Sequence, residues 1–158
     1  MMARRESMRA IIGAVVGFAY GSILACMSFI ALGAGHGSSV PFFLSSAPLG
    51  VLGLFGEPGF YAAVFGGAPV VWATFGALSA PAGRAKWRRR TQVLALLQYA
   101  SGLALIAATT GLDELGYLEH LLRIEPEFIA LWAAVYVVGQ VALWWRASRR
   151  SERRPTAI

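Results

Sequence analysis

The sequence predicts an all-α integral membrane protein. Four transmembrane helices form two hairpins related in parallel, the first of which turns through a Pro/Gly-rich outer loop that is interfacial or re-entrant. Three observations carry this expectation. Only 14% of the 158 residues are charged and 57% are hydrophobic, whereas soluble domains are about 25% charged. Four long stretches hold no charged residue. The positive charges gather in three short blocks, and these alternate with segments that lack net positive charge.

The block that orders the rest is the connector 83–90, with Arg84, Lys86, Arg88, Arg89 and Arg90 and no acid. An Arg or Lys at the centre of a span costs about 2.5 to 3.5 kcal/mol on insertion scales, and loops rich in them stay cytoplasmic. Arg4, Arg5 and Arg9 precede the first apolar stretch. Arg146, Arg149, Arg150, Arg153 and Arg154 follow the last one. An even number of crossings puts all three blocks on one side. The chain is therefore expected as a single transmembrane domain over 1–158, multi-pass in the inner membrane, with both termini cytoplasmic.

The first span is expected at about 10–34. Ala10 to Gly35 is free of charge and exceeds the roughly 20 residues that cross about 30 Å of hydrocarbon. It is also longer than the 7–15-residue core of a signal peptide, so an uncleaved span is expected. Gly13, Gly17, Gly21 and Ala25 recur at every fourth position. They share one helix face and form the small-residue stripe that lets helices approach closely in lipid. The other spans are expected at about 59–82, 91–111 and 128–145. Pro69 lies within the second, where it should kink the helix. Trp144 and Trp145 sit just before Arg146, where an interfacial aromatic belt falls.

Residues 35–58 and 112–127 are expected as outer loops, and 147–158 as a flexible cytoplasmic tail. The first loop is apolar but carries Pro41, Pro48 and several glycines and serines. Irregular backbone at membrane depth needs protein or water to satisfy it, so a re-entrant loop has to be covered by the helices. A short helix is expected near Leu49–Phe55.

The hairpins carry short echoes in the same order. Tyr20-Gly21-Ser22-Ile23-Leu24-Ala25 matches Tyr99-Ala100-Ser101-Gly102-Leu103-Ala104. Glu57-Pro58-Gly59-Phe60-Tyr61-Ala62 matches Glu125-Pro126-Glu127-Phe128-Ile129-Ala130. Duplication accounts for both, with the copies related by an axis along the membrane normal. Convergence on Pro and Glu at helix starts also accounts for the second.

Chemistry is sparse. No charged residue falls inside a predicted span, which argues against a proton relay in the membrane core. In size the chain resembles the small four-helix multidrug transporters, but those use a membrane-embedded glutamate in their first span and this chain has none. The lone Cys26 rules out an intrachain disulfide. No catalytic, cofactor-binding or metal-binding set is visible. The candidate polar site on the outer face is Glu57, Glu125, His36 and His120. With a net charge of +6 set in blocks beside apolar runs, the expected partners are anionic lipid at the cytoplasmic face and other helices, in a homo-oligomer or with other membrane subunits; nucleic acid is not expected. The function expected is that of an accessory or interaction subunit. The alternative is a small transporter or channel for a neutral or weakly polar solute.

Overall fold

A computed structural model describes residues 2–33, 39–79, 85–109 and 126–148. The described residues are helical and include no strand. Three helical stretches, Glu6–Leu32, Gly56–Ser79 and Thr91–Thr109, are long and apolar enough to cross a membrane, and a shorter apolar stretch spans Pro126–Ala142. Large apolar side chains stand outward along them; Val15, Leu97 and Val138 are 63%, 59% and 65% exposed. Faces of this kind suit hydrocarbon as solvent and would be unusual on a soluble monomer.

Helix α1 runs over Met2–Gly33, beginning before the expected span. The helix continues back through the arginines, which are good helix formers, so the basic residues ride on its first turns.

The segment 35–58 contains the short helix expected near Leu49–Phe55 and a further helix that precedes it. Its described part is helical: α2 at Val40–Ser46, a 3-10 turn at Leu49–Leu54, and α3 beginning at Gly56. Of the prolines that suggested a loop, Pro48 lies in the turn that ends α2, but others sit where a helix tolerates them. Pro41 occupies the first turn of α2 and Pro58 the first turn of α3, where the missing N–H has no intrahelical partner to lose. Apolar surroundings favour helix here, because every unpaired backbone group is costly without water. Helix α2 is buried along most of its length and reaches the level of Gln98, near the middle of the apolar stretch Thr91–Thr109.

The second long stretch is α3 (Gly56–Ala62), a π turn (Ala63–Gly67) and α4 (Ala68–Ser79). Pro69 cannot donate to the carbonyl of Phe65, and its ring crowds that carbonyl. The wide π turn immediately before it takes up that mismatch. Helix α5 runs over Ala85–Thr109. The basic connector expected at 83–90 is thus, from Ala85 onward, the first turns of α5. Helix α6 covers Pro126–Ser148.

Helices α1 and α4 run antiparallel in close contact. A Cβ on Gly17 would strike the backbone carbonyl of Trp72, one on Gly21 would lie 2.5 Å from the carbonyl oxygen of Ala68, and one on Gly76 would strike the carbonyl of Gly13. Four-residue steps on one helix meet four-residue steps on the other, backbone to backbone, which only residues without a Cβ allow at this distance. Above this seam a core of Leu24, Ala25, Val71, Trp72, Phe75, Trp132 and Tyr136 joins α1, α4 and α6. A second core, with Val40, Phe42, Phe43, Val64 and Ile106, seats α2 between the π turn and α5.

Candidate functional site

Several buried polar side chains of the apolar region, Ser28, Ser45, Ser46, Trp72 and Gln98, meet at the C-terminal end of α2. The last carbonyls of a helix have no partner within it, and at this depth none can be left open. Phe43 O accepts from the N–H of Ala47 at 3.1 Å. Leu44 O would ordinarily take the N–H of residue 48, but that residue is Pro48. Its partner is the side-chain amide of Gln98 on α5, which donates to it. Ser45 O accepts from the indole N–H of Trp72 on α4 at 3.2 Å. The hydroxyls of Ser45 and Ser46 return to Pro41 O and Phe42 O, and Ser45 Oγ also meets Ser28 Oγ of α1 at 2.9 Å.

Gln98 is the hub of this arrangement and is 2% exposed. Its Oε1 accepts from Tyr136 Oη at 3.3 Å and from Gln140 Nε2 at 3.1 Å, both on α6. Tyr136 and Gln140 stand one turn apart and also bond each other at 3.2 Å. Close passage of α2 over α5 is permitted by Gly102, where a Cβ would lie 3.2 Å from Phe43 O. On the other flank of α6, Tyr20 of α1 donates to Val135 O and sets its ring edge-on to Trp72, with centroids 4.7 Å apart. Trp132 stacks on Tyr136 at 5.3 Å, and its Nε1 is buried without a hydrogen-bond partner.

The set consists of amides, hydroxyls and backbone carbonyls. It binds helices to one another and holds no nucleophile–base pair. Among the described residues no three His, Cys, Asp or Glu side chains come together to hold a metal.

A second feature is a cavity of about 200 Å³ between α1, α4 and α6, at the end of the bundle where α1 begins. Gly17, Trp72 and Gly76 form its floor, and Val16, Val138 and Ala142 its rim. Its surface is almost wholly apolar.

Of the sequence-derived site residues, Glu57 lies exposed in the first turn of α3. Glu125, His36 and His120 lie outside the described residues, as does Arg84. Lys86, Arg88, Arg89 and Arg90 fall on the first turns of α5, with Arg89 exposed. Gly13, Gly17, Gly21 and Ala25 face α4 and are buried. The structure does not put the echoed tyrosines in like surroundings: Tyr20 is turned into the bundle, whereas Tyr99 is 47% exposed. In the sequence Gln98, Tyr136, Gln140 and Ser28 stand only as scattered polar residues of the apolar stretches. The available signal was Pro48, which strips a donor from a helix end and so demands one from elsewhere.

Comparison with protein-family models, with curated proteins and with solved structures finds no match.

Proposed function

We propose that the protein is an accessory or interaction subunit, crossing the membrane four times with both termini cytoplasmic, that works by presenting helix faces to another copy of itself or to other membrane subunits. The observation that carries this reading is the split between the two sides of α5. Its inner side, with Ala95, Gln98, Gly102 and Ile106, is packed within the chain, and the Gln98 amide is satisfied there. Its outer side exposes Ala100, Ala104 and Ala108 at four-residue steps beside Leu97 and Leu103. In lipid, apolar surface alone drives no association, and small residues in register give a second helix its close approach. The three basic blocks support the topology, and in this reading α6, a 23-residue helix whose apolar part is Pro126–Ala142, is the fourth crossing. The test is the mass of the purified protein–detergent complex. A defined oligomer or co-purifying subunit that is lost in Ala104→Leu, with the chain still folded, supports the reading; a monomer in both sinks it.

A second reading, a small transporter for a neutral solute, draws on one feature: the hydroxyls of α2 and the buried amide of Gln98 on α5 lie at mid-depth without any charge. Solute flux into proteoliposomes that is abolished by Gln98→Leu in a folded protein favours it over the first.

A further inference from the structure

The structure assigns the cavity between α1, α4 and α6 as the seat of one acyl chain of an acidic phospholipid, with the headgroup at Arg9. This does not rest on the subunit reading above.

The cavity has a buried floor and an open rim. Trp72 below is 2% exposed, whereas Val16 and Val138 above are 58% and 65% exposed. Along α1 it runs from Gly13 to Tyr20, on the order of 10 Å at 1.5 Å per residue. A helix with side chains is about 10–12 Å across and does not fit a groove of about 200 Å³. An apolar cavity of about 150 Å³ holds one benzene molecule, so this one holds a single chain segment of about eight carbons. A groove with apolar walls gains nothing from water, and a void forfeits the dispersion contacts of its lining. A flexible hydrocarbon chain from the surrounding bilayer satisfies both conditions.

Charge selects the headgroup. Arg9 precedes Gly13 by four residues and so lies on the same face of α1, one turn of about 5.4 Å beyond the mouth of the groove. It is exposed. Glu6 lies three residues further from the groove. A chain entering over Val16 therefore brings its phosphate to the level of the Arg9 guanidinium, which pairs with phosphate in a planar fork. Zwitterionic lipids offer the same chain with no net charge to draw them.

The test uses Trp72 as reporter. In the full chain, Trp87, Trp132, Trp144 and Trp145 are replaced by Phe, and the protein is placed in mixed micelles with acyl-brominated phosphatidylglycerol or phosphatidylcholine. Bromine quenches only at contact, and Trp72 meets lipid only through the groove. Quenching by phosphatidylglycerol should exceed that by phosphatidylcholine. Ala142→Phe, which fills the groove from its rim away from the α1–α4 seam, should abolish it. Arg9→Gln should reduce the preference about fivefold, the factor corresponding to about 1 kcal/mol per basic residue at an anionic surface. Equal quenching by both lipids, no quenching, or quenching unchanged by either substitution overturns the assignment. Should the four-Phe chain fail to fold, native mass spectrometry of the otherwise unmodified protein reads the same contrast: one acidic lipid retained per chain, and none in Ala142→Phe. Loss of no lipid in Ala142→Phe overturns it there as well.

Discussion

The side chain of Gln98 donates to the backbone carbonyl of Leu44, 54 residues earlier in the chain, and stands in for the N–H that Pro48 lacks. Gln98→Leu keeps the volume and removes the donor, leaving Leu44 O buried and unsatisfied. It should lower stability by about 1–3 kcal/mol. Thermal unfolding in detergent reads this, and a melting temperature equal to that of the native protein would show that water or another group caps α2.

Gly17→Leu and Gly76→Leu should each cost about 3 kcal/mol or more, because the added side chain meets backbone and has nothing soft to displace. Gly66→Ala is the matched control, since nothing lies within 4 Å of a Cβ there; it should be neutral or mildly stabilising. If all three variants behave alike in unfolding assays, close backbone approach is not what joins α1 to α4.

Topology is tested in a chain with Cys26 replaced by Ser. Single cysteines at positions 86 and 150 should stay unlabelled by an impermeant maleimide in intact cells, and one at position 114 should label. External labelling at 86 or 150 would refute a cytoplasmic placement of the basic blocks.

Glu57 stands exposed in the first turn of α3, where a carboxylate meets the positive end of the helix dipole. Glu57→Gln should cost no more than about 0.3–1 kcal/mol and leave oligomeric state and any transport unchanged. Loss of activity in a fully folded Glu57→Gln protein would make this end of the bundle a working site.

Legibility in the sequence followed the range of the interaction. The long helices were readable because hydropathy acts over a contiguous window, and the Gly13–Gly17–Gly21 stripe because it is periodic within one helix. What faces that stripe, the Ala68–Trp72–Gly76 steps of α4, has the same period but needed the fold to be paired with it. In the region 39–58 the short helix at Leu49–Leu54 was legible, but α2 was not, because Pro and Gly signal turns in water, whereas in an apolar bundle a proline such as Pro41 opens a short helix. Gln98 was one polar residue among many. Its role depends on Leu44, Tyr136 and Gln140, which lie far from it in the chain and are joined to it only by tertiary packing. The cavity had no signature of its own, since a gap is set by what three helices fail to fill.

The capping of α2 also imposes an order on assembly at the ribosome. The carbonyl of Leu44 is synthesised 54 residues before its partner, an interval of roughly 3–11 s at 5–20 residues per second. Until Gln98 is made, the chain holds no side chain that the structure pairs with that carbonyl, whereas the α1–α4 seam involves no residue beyond 79. The first helical pair is thus complete in sequence before the short helix beside it has all of its partners.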